Sequence, residues 1–268
     1  MPLIAYSLPN WVLGAGLVCA WVLIALAMQQ LFPQRWRDRA SDTDRNVALA
    51  ALGVIATINS LLLAFSAVSV WDSFATAEHA VQREATAVAQ LGRSLTVLDT
   101  SQARLARERL RAYGRSVVTR EWPEMQQERQ SPATLAAFDA LFGALGDLKQ
   151  STPAETPLLT QTWQQANDLL DYRRARLQAA KGKVPGTLWA VVLVGSALTL
   201  LPMAVLPIST SSRGALLVLA VTLGLVFHFV AAMDRPFLGT ECVTAEAIED
   251  ALAGLQRPPP RPATAVPP

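Results

Sequence analysis

Histidine and cysteine are scarce in this sequence, and neither type is placed for chemistry. His79 and His228 lie far apart along the chain, and neither stands at metal-ligand spacing from Cys19 or Cys242. The two cysteines themselves fit no disulfide framework and no zinc pattern. No glycine-rich phosphate loop follows a strand, and no nucleophile elbow is present. Neighbouring carboxylates such as Glu249 and Asp250 fall on different faces of a helix. The sequence therefore implies no catalytic residue, no metal and no cofactor, and the chain does not read as an enzyme. A net charge of +2, with no basic cluster interleaved with aromatics, also argues against a nucleic-acid partner.

Chemistry of another kind is possible between Asn59 and Ser73. Asn59, Ser66, Ser69 and Ser73 recur at intervals of seven, three and four, which is one face of a helix. Leu62 and Leu63 fill the gap in that stripe, with Phe65 alongside. Small polar groups on one face, interrupted by bulky apolar side chains, suit a helix lining a narrow aqueous conduit with a hydrophobic gate. The same groups equally suit hydrogen bonding between packed helices. Asp72 stands at the end of this stretch, and Asp234 and Arg235 follow a later apolar block. Charges so placed can act on ions at a vestibule or simply mark the water boundary.

The elements that position these residues follow from where charge is absent. The chain is 51% hydrophobic and 16% charged, against roughly 25% charged in average soluble domains. Its charges are missing from four blocks, 11–32, 46–71, 185–208 and 214–233. A bilayer core of about 30 Å needs roughly 20 helical residues, and backbone groups in lipid must be bonded internally. Each block is therefore expected to be a spanning helix, with Trp11, Trp71 and Trp189 near block ends as headgroup anchors. Pro202 and Pro207 predict a kink or an early end in the third block. The N-terminus lacks the pattern of a cleaved leader, so the first block is expected to remain as a span.

Residues 73–184 carry a mixed charge balance and helical periodicity throughout. Nothing breaks the pattern between Asn46 and Leu98, so the second span is expected to continue into this insert. Further helices are expected over 102–122, with Leu105, Leu110, Tyr113 and Val117 inward and Pro123 at its end, over 132–149, and over 153–180. Ser131-Pro132 is a helix-start pair. The resulting fold class is all-α: four transmembrane helices (1–72 and 185–243) with a helical soluble insert (73–184). A C-terminal segment, 244–268, ends in a proline-rich tail expected to be extended and disordered. Charge alone barely decides sidedness. Arg35, Arg37, Arg39, Arg45 and Arg213 oppose Arg83, Arg173, Arg174, Arg176, Lys181, Lys183 and Arg235.

Several short elements together resemble the bestrophin-like family of bacterial membrane proteins. They are Leu63-Ala64-Phe65 leading to Trp71-Asp72, Glu84-Ala85 followed by Leu91 and Arg93, Tyr113, Glu121-Trp122-Pro123, and Asp234-Arg235-Pro236-Phe237-Leu238-Gly239. The resemblance covers the chain from Asn46 to about Val243. It implies a four-span homo-oligomer in the bacterial cell (inner) membrane, with the insert and both termini in the cytoplasm. It also implies conduction of small anions with the second span lining the pore, so that Asn59, Leu62, Phe65, Ser66, Ser69 and Ser73 face the conduit. No acidic cluster resembling the calcium clasp of bestrophins is present. A second reading stays open: a membrane-anchored signalling or scaffold protein whose helical insert binds a partner or ligand.

Overall fold

The computed structural model describes residues 9–31, 37, 41–149, 155–204, 206 and 208–256, and among these the chain is all-helical. It divides into two compact units, residues 1–75 with 182–242 and residues 76–181 with 243–268.

The first unit contains α1 (Asn10–Leu31), the N-terminal part of α2 (Asp42–Leu98), α7 (Gly186–Leu200) and α8 (Thr210–Met233). All four helices are long and apolar enough, by length and composition, to cross a membrane once the turn that extends α7 to Met203 is counted. Twenty-two residues in α1 give about 33 Å at 1.5 Å each. Local chemistry sets the ends. The Ser41 side chain accepts the Asp44 N–H while the Asp44 carboxylate accepts the Ser41 N–H, a reciprocal cap that starts α2. Ser209 and Ser212 do the same for α8. α7 stops at Leu200 and passes into a 3₁₀ turn, Leu201–Ala204, which holds Pro202; the early end expected from that proline is the one found.

Trp21 and Ala25 of α1, Leu63 of α2, Val192 and Leu200 of α7, and Leu216, Ala220, Leu223 and Phe227 of α8 form the core of this unit. Trp21 and Phe227 rings lie 5.0 Å apart, and Trp189 adds a third ring 6.0 Å from Phe227. α1 can lie this close to α8 because Gly224 has no side chain. A Cβ there would sit 2.6 Å from the Val18 Cα, a backbone atom that cannot swing aside.

The second unit is built from the rest of α2, then α3 (Ser101–Ser116), a π turn (Val117–Glu121), α4 (Trp122–Met125), α5 (Pro132–Gly146), α6 (Thr156–Ala179) and α9 (Glu246–Gln256). α2 is one helix of 57 residues, as its unbroken pattern predicts. Thr100 caps α3 by accepting the Ala103 N–H at 3.1 Å, and Ser131 caps α5 with Pro132 behind it. Val81, Val88, Leu91 and Leu95 of α2 are buried in the core, with Leu110 of α3, Leu141 and Leu145 of α5, and Leu169 of α6. α9 packs on α3 and buries Ile248, Leu252 and Leu255, at intervals of four and three.

Two sequence expectations need correction here. Leu105 points outward and is exposed, while Ala103 and Ala106 take the inward positions beside Leu110 and Tyr113. Pro123 also does not end the helical path. It lacks an N–H for the ordinary ladder bond, and the chain widens into the π turn ahead of it and continues to Met125. The helix placed at 132–149 ends at Gly146, and the one placed at 153–180 is seen from Thr156 to Ala179. The proline-rich tail from 257 onward lies outside the described residues.

Candidate functional site

The polar stripe of α2 divides between two orientations. Asn59 and Ser66 turn inward with Leu63 and Val70, and Asn59 is only 3% exposed. Asn59 Nδ2 donates to Ser196 Oγ of α7 at 3.1 Å, and its Oδ1 lies against Gly195, where a Cβ would approach to 2.5 Å. Ser66 Oγ donates to the Leu62 carbonyl at 2.9 Å. Ser69 is exposed, Phe65 is 62% exposed, and Leu62 and Ser73 lie half-buried on the flank between the two orientations. The outward side of α2 therefore carries Ile58, Leu61, Phe65, Ser69 and Asp72, all exposed and spaced by three or four residues. A groove of about 410 Å³ runs along another flank, where α2 contributes the small side chains of Ala56, Ser60, Ala64 and Ala67.

The candidate vestibule charges also part. Asp72 is exposed. Asp234, buried after α8, accepts the Val184 N–H at 2.8 Å and so holds the approach to α7. Arg235 is half-buried, Pro236 and Phe237 are buried, and the Arg235 carbonyl accepts the Leu238 N–H at 3.1 Å. This tight turn ends on Gly239 at φ 94°, a left-handed conformation that favours glycine. The post-α8 motif is a structural corner.

In the second unit, Glu84 of α2, Tyr113 of α3, Glu121 of the π turn, and Arg173 and Arg176 of α6 converge in the core, all of them buried. Arg176 Nε donates to Glu84 Oε2 at 2.5 Å, and its Nη2 donates to Glu84 Oε1 at 3.2 Å and to Glu121 Oε2 at 2.7 Å. Arg173 donates to Glu121 Oε1 at 2.5 Å, and the Tyr113 hydroxyl donates to Glu84 Oε1 at 2.5 Å. All four carboxylate oxygens are thus satisfied, and two positive charges balance two negative ones. Arg176 also lies over the Trp122 ring at 5.6 Å and its Nη1 donates to Met125 Sδ. Arg173 lies over Phe138 at 5.7 Å.

Burial pushes the Arg176 guanidinium down, but the charge and hydrogen bonds of Glu84 more than reverse this, so it stays protonated throughout. Burial, and then the negative charge of Glu84, hold the Tyr113 phenol well above its usual range, so it remains a neutral donor. Through these bonds the cluster ties α2, α3, the π turn and α6 together, with Arg173 Nε buried and without a hydrogen bond.

The structure thus brings Glu84, Glu121 and Trp122 together, with Pro123 exposed at the next position. Sequence reasoning misses their partners, because nearness to an apolar block places Arg173 and Arg176 among the membrane-edge charges. The signal is present. Thr162, Ala166, Leu169, Arg173 and Arg176 recur at intervals of four and three, so both arginines occupy positions of the buried stripe of α6. Glu84 does the same on α2.

The sequence profile of the bestrophin-like domain matches residues 16–248. No curated protein matches the chain. Among solved structures, a crystal structure described as a membrane protein aligns with a TM-score of 0.69 at 13% identity, covering 90% of this chain and 97% of that one. A variant of a bacterial bestrophin homologue from Klebsiella pneumoniae aligns with a TM-score of 0.69 at 12% identity, covering 90% and 97%. A second variant of that homologue gives 0.69 at 13%, covering 91% and 99%. At such identities the likeness establishes the fold.

Proposed function

The chain belongs to the bestrophin-like family, and from that premise we propose that it forms a homo-oligomeric membrane channel for small ions, with α2 lining the conduit. The observation that carries this reading is the outward row of α2. Ile58, Leu61 and Phe65 form an apolar constriction flanked by Leu62. Ser69 follows with a hydroxyl, Ser73 adds another on the flank, and Asp72 sets a carboxylate at the mouth. Asn59 and Ser66 stand behind this row, and Asn59 ties α2 to α7 of its own subunit through Ser196. The groove edged by Ala56, Ser60, Ala64 and Ala67 lets a neighbouring helix approach closely, as small side chains do between helices in lipid. In this reading Asp234 holds the approach to α7, Arg235 belongs to the turn after α8, and neither faces the ion path.

Purified protein reconstituted into liposomes is expected to pass ions above the level of empty vesicles. Absence of flux under varied voltage and pH, with an oligomer verified in the same sample, would sink the proposal. The family implies anions as the permeant class, yet the row carries no positive side chain, and a ring of Asp72 carboxylates works against anions. Asp72→Asn is accordingly expected to raise chloride permeability relative to sodium by roughly tenfold, read from the reversal potential. An unchanged ratio places Asp72 away from the mouth.

The same reading puts the assembly in the bacterial cell membrane, with the second unit and both termini cytoplasmic. Cysteines introduced at Ala75 and Ser211 test this in whole cells. Ser211 is expected to label with an impermeant reagent, and Ala75 only after permeabilisation; the reverse pattern inverts the topology.

A further inference from the structure

Helix α3 carries five arginines against one glutamate. Four of them, Arg104, Arg107, Arg111 and Arg115, recur at intervals of three and four and therefore share one face. Arg104 has the exposed Asp99 carboxylate at 3.4 Å. Arg107 and Arg111 have no carboxylate partner among the described residues. Both instead donate through Nη2 to one acceptor, the Leu255 carbonyl near the end of α9, at 2.6 Å for Arg107. Their Nε hydrogens are buried and make no hydrogen bond.

A helix C-terminus offers about half an elementary negative charge, which offsets only part of one guanidinium. Two full charges therefore meet there with too little opposing them. The Arg107 guanidinium is depressed by burial first and then by the charge of Arg111, which is what such crowding produces. Glu108, the one carboxylate on α3, makes no ion pair among the described residues. The sequence beyond Gln256 brings Arg257 and Arg261 and no acidic side chain. By contrast, the buried arginines of the same unit, Arg173 and Arg176, each have a glutamate.

We propose that Arg107 and Arg111, flanked by Arg104 and Arg115, form a binding site for a phosphate group, carried either by a soluble polyphosphate or by an anionic lipid headgroup. Paired guanidinium forks match the oxygens of phosphate and carry the charge to hold a multiply charged anion. The residues of the site all belong to the second unit.

The test uses the full-length protein in detergent. Sodium tripolyphosphate is titrated calorimetrically at constant ionic strength, and native mass spectrometry counts phosphatidylglycerol and phosphatidylcholine retained from a mixed-lipid extract. Saturable tripolyphosphate binding, or selective retention of phosphatidylglycerol, is expected, and which of the two occurs identifies the source of the phosphate. Arg107→Gln with Arg111→Gln is expected to weaken that binding about tenfold or more, whereas Arg109→Gln, on another face of α3, leaves it intact. Each variant is checked by its circular dichroism melt. If the double variant fails to fold, Arg107→Lys and Arg111→Lys carry the test, because an ammonium keeps the charge but loses the fork. Weakened binding in those variants supports the site. No saturable binding of either probe, or binding undiminished by these substitutions, overturns it.

Discussion

Replacing Arg176 with methionine is expected to lower the stability of the second unit by about 3–5 kcal/mol, a large part of what holds an ordinary domain folded. The reason is the position of the charge. Glu84 and Glu121 are fully buried, and Arg176 is the residue that contacts both carboxylates. Removing it strands the Glu84 carboxylate with only the Tyr113 hydroxyl, and leaves Glu121 with Arg173. Methionine keeps much of the side-chain volume, so the loss reports on charge more than on a cavity. A fall in Tm of at least about 10 °C is expected in the far-ultraviolet circular dichroism melt of the detergent-purified protein. Adding Glu84→Gln is expected to recover part of that loss, because the remaining pair, Glu121 with Arg173, is again balanced. The double-mutant cycle then reads the coupling directly. Equal melts for the wild type and Arg176→Met would mean that the cluster does not form.

The arginines of α6 also mark how far the sequence carries. The four apolar blocks are legible because helices of soluble proteins rarely run so long without a charge, whereas a bilayer requires it. Pro202 ends α7 for reasons local to the chain. Asp42–Leu98 is one helix because no residue in it interrupts the ladder. What periodicity supplies is which residues share a face. It does not say what that face meets. Asn59, Ser66, Ser69 and Ser73 share a broad side of α2, yet the inward edge of that side packs on α7 and the outward edge stays free. A few tens of degrees about the helix axis separates a packing contact from an exposed surface, and only the neighbouring helices fix that angle. The arginine pair on α6 is hidden for a related reason. A charge near an apolar block reads as a membrane-edge residue until its place in the buried stripe is counted. The docking of α9 on α3 is invisible for a third reason, since its contacts join residues more than a hundred positions apart.

Phe65→Ala is expected to raise single-channel conductance by at least about tenfold, equivalent to about 1.4 kcal/mol off the barrier to ion passage. In the proposed channel a ring of phenylalanine side chains, one from each copy, would narrow the conduit and offer ions no group to replace lost hydration water. Alanine widens it and admits water. Phe65→Trp is expected to act in the opposite direction. A partner substitution separates this from damage to the fold: Asn59→Ala removes the hydrogen bond to Ser196 and is expected to cost about 1–2 kcal/mol of stability. Because Asn59 stands behind the row and not in it, the conductance of those channels that still assemble should stay near the wild-type value. The two variants thus lie about 1.7 turns apart on one helix and predict opposite profiles, one functional and one structural. Should Asn59→Ala alter conductance while Phe65→Ala leaves it unchanged, the ion path runs along the inner edge of α2, and the helix is turned the other way in the assembled channel.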